Sequence, residues 1–134
     1  MLEKPPAISG VIPLSIWIMA LISVSFSALG QYLMKTGMSG PAVRAALDES
    51  VMAGAVRAAM EPFLIAGIAC YGASMLLWLL CLSRMPLTVA YPLVSLSLVL
   101  VIGLATLFGG ERVSLPQLMG IALIIGGVLL VGRR

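Results

Sequence analysis

Residues 62–83 read PFLIAGIACYGASMLLWLLCLS, with no Asp, Glu, Lys or Arg between Glu61 and Arg84. A helix needs about 20 consecutive apolar residues to cross a hydrocarbon core ~30 Å thick, and this run is long enough. Three further uncharged stretches meet the same test: Val11 to Met34, Met85 to Gly110 and Val113 to Gly132. A spanning β-barrel would show short segments of alternating polarity instead, so strands are excluded. The expectation is an all-α, multi-pass membrane protein, one domain over residues 1–134, with transmembrane helices at about 12–35, 62–83, 86–109 and 114–132. Short loops at SRMP (83–86) and GGERVSLP (109–116) make the four helices an up-down bundle.

Composition leads to the same place. The chain is 61% hydrophobic and 10% charged, with a mean hydropathy of +1.16, whereas soluble domains run roughly 45–50% apolar and about 25% charged. Eight Lys or Arg against five Asp or Glu are too few charges to coat a globule of 134 residues in water. The balance of +3 comes without a basic cluster or interleaved aromatics, so no nucleic-acid partner is expected. Arg133 and Arg134 sit where a membrane helix takes an interfacial anchor. The first hydrophobic run exceeds the ~7–15 residues of a signal core, and Glu3 offsets Lys4 before it, so it reads as a retained helix. Cys70 and Cys81 are eleven residues apart on one helix, about 16 Å along its axis, too far to bridge each other, and both read as packing residues.

The one sizeable polar segment, residues 36–61, opens with TGMSGP and continues as AVRAALDESVMAGAVRAAM. Arg44 and Asp48 have the spacing of a helical ion pair, and Val43, Leu47, Val51 and Ala55 share the other side. This predicts a short amphipathic helix at the interface, either a surface connector or a lid over a membrane cavity. Lys4, Arg84, Arg133 and Arg134 fall on one side of the bundle and Lys35, Arg44, Arg57 and Arg112 on the other. Four cations face four, so charge bias fixes no orientation. Such a chain either inserts both ways as an antiparallel homodimer, pairs with a partner of stronger bias, or is oriented by other determinants.

No ionisable side chain falls between the helix ends, which argues against a carboxylate-driven proton exchanger within this chain. No His/Cys/Asp/Glu cluster suggests a metal site, and no cofactor, hydrolase triad or phosphate loop can be assembled, so the chain reads as a non-enzyme. Its polar content is neutral and follows the helical period. Ser23, Ser27 and Gln31 are spaced by four and make a stripe beside Gly30. Lys35 continues the stripe about 33 Å beyond Pro13, near the interface and within reach of a phosphate; the bland alternatives are serine back-bonding and a snorkelling lysine. In the third helix Thr88, Tyr91, Pro92 and Ser95 share a face, and Pro92 frees a carbonyl that either a neighbouring helix satisfies or a polar cavity accommodates. Gly120 and Gly127, seven apart, form a seam for close packing within the bundle or against a second chain.

The segment LWLLCLSRMPLTVAYPLVSLSLVLV, with GGERVS and LMGIALIIGGVLLVG after it, resembles the second half of the small multidrug resistance fold in the drug/metabolite transporter superfamily. SALGQYLMK and AYPLVSLS resemble, more narrowly, the paired subunits of the aminoarabinose-phosphoundecaprenol flippases. The resemblance covers Ser23 to Gly132 and is weakest over residues 36–61. It implies a carrier that moves a polyprenyl (undecaprenyl) phosphate-linked sugar, such as aminoarabinose, across the bacterial inner membrane. It also implies a homodimer or a heterodimer with a similar subunit. On this reading Ser23, Ser27, Gln31, Tyr91 and Ser95 line a groove open to lipid, while Lys35, with Arg84 or Arg112, holds the phosphate. The alternative is an exporter of cationic drugs or metabolites. Those exporters carry a membrane-embedded glutamate where this chain has Ser27, and a tryptophan where it has Val94; both departures weigh against drug–proton exchange. A third possibility is a non-transporting subunit that stabilises a partner.

Overall fold

The computed structural model describes residues 11–132; the expectations placed on Lys4, Arg133 and Arg134 fall outside them. The chain forms α1 (Leu14–Met38), α2 (Pro41–Glu49), α3 (Val51–Ala59), α4 (Pro62–Leu82), α5 (Leu87–Leu107) and α6 (Leu115–Gly132). All described elements are helices. Three of them, α1, α4 and α5, are long and apolar enough to cross a membrane, while the apolar stretch of α6 covers Leu115–Gly127. Ile18, Leu21, Leu76, Leu80 and Leu100 are exposed on these helices. In water so large an apolar surface would be a liability; against lipid tails it is the side that faces solvent.

The strongest packing joins α1 to α4, antiparallel, along a seam of mostly small groups. On α1 the seam falls at Ile16, Ser23, Gly30 and Gly37, seven residues apart each time. Such a repeat holds one helix face against a partner with left-handed crossing. Cys81 is buried and its thiol points to the Ile16 carbonyl at 4.0 Å. One heptad on, Ser23 and Ser74 exchange hydrogen bonds: each hydroxyl donates to the other residue's carbonyl at 2.8 Å. At the next, Gly30 and Gly67 bring the two backbones into direct contact. A Cβ on Gly67 would lie 2.7 Å from the Met34 nitrogen and 2.8 Å from the Gly30 carbonyl oxygen. Interhelical contact in lipid gains nothing from burying apolar area and relies on this kind of close approach and polar pairing.

The remaining helices attach more loosely. α5 lies on α1, with Ala90 fully buried beside Ile16, Ala20, Cys81 and Met85. α6 packs on α5.

The segment between α1 and α4 differs from the single amphipathic helix expected. It is two helices broken at Ser50, whose extended backbone ends α2 and whose hydroxyl accepts from the Ala53 amide at 3.1 Å, capping α3. The break folds α3 back on α2, with Leu47 against Gly54. Val51 therefore does not continue the buried side that Val43 begins; it is 80% exposed. Arg44 and Asp48 do not pair; the ion pair found among the described residues is Lys35–Glu111. Replacing Ser50 by alanine is expected to cost α3 about 0.5–2 kcal/mol, read as faster amide exchange over residues 51–59 with α1 and α4 unchanged.

Candidate functional site

Two cavities open along α1. The inner one, about 170 Å³, lies at mid-helix depth between α1, α4 and α5 and is lined by Ser27, Tyr71, Ser74, Trp78 and Ser97. The outer one, about 450 Å³, lies at the Lys35 end, walled by α1, the last turns of α5, the α5–α6 loop and the first half of α6. Gln31, Tyr32, Lys35, Thr106, Glu111, Arg112, Gln117 and Gly120 line it among aliphatic side chains. The outer volume falls within the roughly 300–1,000 Å³ of small-molecule sites and the inner one falls below it.

The polar stripe of α1 connects the two. Ser23 is the deepest member, 1% exposed and committed to the seam with Ser74. Ser27 faces the inner cavity, and its hydroxyl accepts from the Gln31 side-chain amide at 3.2 Å. Gln31 in turn lines the outer cavity, and Lys35 stands at its rim. The helix continues past Lys35 to Met38, farther than the expected end near 35, and closes with the Ser39 amide donating to the Lys35 carbonyl at 2.9 Å, while the Thr36 hydroxyl donates to the Tyr32 carbonyl at 2.9 Å.

The loop between α5 and α6 completes the outer cavity. Gly110 adopts φ of +66°, a left-handed conformation that residues other than glycine rarely adopt. The turn lets the Glu111 amide donate to the Ala105 carbonyl at 3.1 Å and brings the Glu111 carboxylate onto the Lys35 ammonium. At the start of α6 comes one half of a capping box: the Ser114 amide and hydroxyl both donate to the Gln117 side-chain oxygen, at 2.8 and 2.9 Å. Tyr32 and Phe108 pack with ring centroids 6.5 Å apart at the same end.

Of the residues expected at the site, Gln31, Lys35, Arg112 and Gly120 share the outer cavity and Ser23 and Ser27 border the inner one. Tyr91, Ser95 and Arg84 join neither. Ala90 faces α1, and Val94, Ser97 and Val101 follow it at helical spacing toward the two cavities. Tyr91 and Ser95 sit one position further, about 100° round the helix. Tyr91 is 66% exposed, and the Ser95 hydroxyl is spent on the Pro92 carbonyl at 2.6 Å beside Ile125 and Leu129 of α6. Arg84 lies exposed in the α4–α5 turn, away from both cavities. Neither Gly120 nor Gly127 approaches another helix of this chain: a Cβ on either would meet open space. Neither cavity is lined by α2 or α3, so this segment is no lid over them here.

Sequence reasoning missed Tyr71, Ser74, Trp78 and Ser97 in the inner cavity and Glu111 and Gln117 in the outer one. The α4 trio was open to detection, since positions 71, 74 and 78 share a helix face. Glu111 also left a trace, as the one acid on the loop beside Arg112 and on the same side of the bundle as Lys35.

Residues 11–133 match the EamA-like transporter family. The flippase subunit ArnE of Aeromonas hydrophila, named as a probable subunit of a 4-amino-4-deoxy-L-arabinose-phosphoundecaprenol flippase, is 46% identical over 72 residues; the match spans 54% of this chain and 63% of that protein. The similarly named ArnE of Pseudomonas savastanoi pv. phaseolicola is 33% identical over 88% of this chain and 97% of its own length. The ArnF subunit of Sodalis glossinidius is 39% identical over 84% and 86% respectively. No solved structure matches the chain. The family and these relatives are transport proteins, in keeping with the non-enzymatic reading of the sequence. With its long apolar helices and the family match running nearly end to end, the chain belongs to the EamA-like transporters.

Proposed function

We propose that the chain is one subunit of a carrier that moves a polyprenyl phosphate-linked sugar, such as aminoarabinose on undecaprenyl phosphate, across the bacterial inner membrane. The observation that supports this most directly is the outer cavity. It sets two cations, Lys35 and Arg112, beside amide and hydroxyl side chains at one end of a bundle whose α4 and α5 contain no charged residue. A phosphate takes the cations, the sugar takes the polar lining, and the lipid tail stays in the bilayer. The stripe from Lys35 through Gln31 to Ser27 offers the headgroup a neutral route inward. In this reading α6 is the fourth spanning helix of a single up-down domain, and its open Gly120 and Gly127 positions receive a second, similar subunit. Transport is gradient-driven or coupled through that partner, since no carboxylate lies within α1, α4 or α5.

The cation-exporter alternative depends on a carboxylate where Ser27 stands, and Ser27 here is a neutral acceptor for Gln31. The two readings separate in vesicles reconstituted with the chain. A flippase makes the headgroup amine of aminoarabinose-phosphoundecaprenol reachable by a membrane-impermeant amine reagent on the far side, and gives no pH-dependent uptake of lipophilic cations. Headgroup labelling at the protein-free rate, both with the chain alone and with a similar second subunit reconstituted beside it, rejects the carrier reading.

A further inference from the structure

We propose that Glu111 reads a positive charge on the cargo headgroup, so that the outer cavity selects a zwitterion over a headgroup bearing phosphate alone. This rests on the carrier reading above and adds a selectivity which that reading does not require. Among the described residues, Glu111 is the sole carboxylate lining the cavity, against two cations. Without cargo its carboxylate is paired with Lys35, and both side chains remain reachable, at 47% and 58% exposure. The backbone beneath the carboxylate is held in place by the left-handed Gly110 turn and the Glu111–Ala105 hydrogen bond. Of the neutral groups around it, the Gln117 oxygen already accepts twice from Ser114. An incoming cation finds in Glu111 the anionic partner among the described lining residues, and a charge-assisted hydrogen bond is stronger than one to a neutral amide or hydroxyl.

The selectivity follows from exchange of partners. A headgroup that offers only an anion can reach Lys35 only by stripping Glu111 of its counter-ion and leaving that carboxylate beside the phosphate. Like charges brought together in this way are an effective device against a wrong ligand. A headgroup with both a phosphate and an amine replaces one ion pair by two, phosphate to Lys35 and Arg112 and ammonium to Glu111, and strands nothing. The relatives are named for such a cargo, a 4-amino sugar joined to a lipid phosphate.

The test measures binding of two probes to the full chain in lipid nanodiscs: aminoarabinose-phosphoundecaprenol and its N-acetyl derivative, which keeps the phosphate and loses the cation. The wild-type chain is expected to prefer the amine by about tenfold or more, Glu111→Gln to erase that preference, and Glu111→Asp to retain it. Equal affinity of the wild-type chain for the two probes overturns the inference and leaves the carrier reading standing. A Glu111→Gln variant that weakens both probes alike also overturns it, since that marks a structural role. Failure of both probes to bind the wild-type chain removes the carrier reading and the inference with it. If Glu111→Gln does not fold, the wild-type comparison of the two probes still decides.

Discussion

Gly67→Val is expected to prevent stable pairing of α1 with α4. The Cβ of any residue at this position would lie 2.7 Å from the Met34 nitrogen and 2.8 Å from the Gly30 oxygen, and both are backbone atoms that cannot rotate aside. Overpacking a core costs typically ~1–3 kcal/mol, and a clash with two main-chain atoms belongs at or above the top of that range. The helices must separate, which also strains the Ser23–Ser74 exchange one heptad away. Thermal melting in detergent reads the loss. Gly72→Val is the control: it lies on the same helix with open space around its Cβ position, so it is expected to melt close to the parent. Equal destabilisation by the two would show that helical glycine in general, and not the seam, carries the effect.

Lys35→Ala is expected to reduce headgroup translocation by tenfold or more while leaving the fold intact. Hydrogen bonds to charged groups contribute about 1.5–3 kcal/mol, equivalent to roughly ten- to hundredfold in affinity. The substitution also leaves Glu111 without its partner at the rim, which adds repulsion toward a phosphate. Lys35 is 58% exposed and takes no part in the seam, so melting should change little. The measurement is the labelling rate of the lipid-linked sugar in vesicles, with the melting temperature of the same preparation alongside. An unchanged rate would remove the phosphate role from Lys35 and shift it to Arg112.

The helical architecture was legible in the sequence because a lipid-facing helix writes its surroundings into its composition: α4 and α5 lack charge from end to end. The polar stripe was legible too, since spacing by four shows that Ser23, Ser27 and Gln31 share a side. Spacing within one helix does not say which side meets a neighbour, and this is why Tyr91 and Ser95 were grouped with a groove they do not reach. Ala90, small and fully buried, is the residue that orients α5, and an alanine among aliphatics carries no special signal. The seam was hidden for a related reason. Ile16, Ser23, Gly30 and Gly37 have no chemistry in common, and only the partner helix reveals their interval of seven. Glu111 reaches Lys35 through the left-handed turn at Gly110, a conformation that the pair of glycines permits but does not dictate.

The seam also decides where the molecule is able to yield. Backbone contact at Gly30 and Gly67 and crossed serine bonds at Ser23 and Ser74 leave α1 and α4 no play against each other. Beyond the short turn at residues 83–86, α5 has little hold on α4, and α6 rides on α5. Any widening of either chamber is therefore expected where α5 and α6 part from α1, beyond the buried Ala90 anchor, with the Lys35–Glu111 bond as the clasp at the far edge.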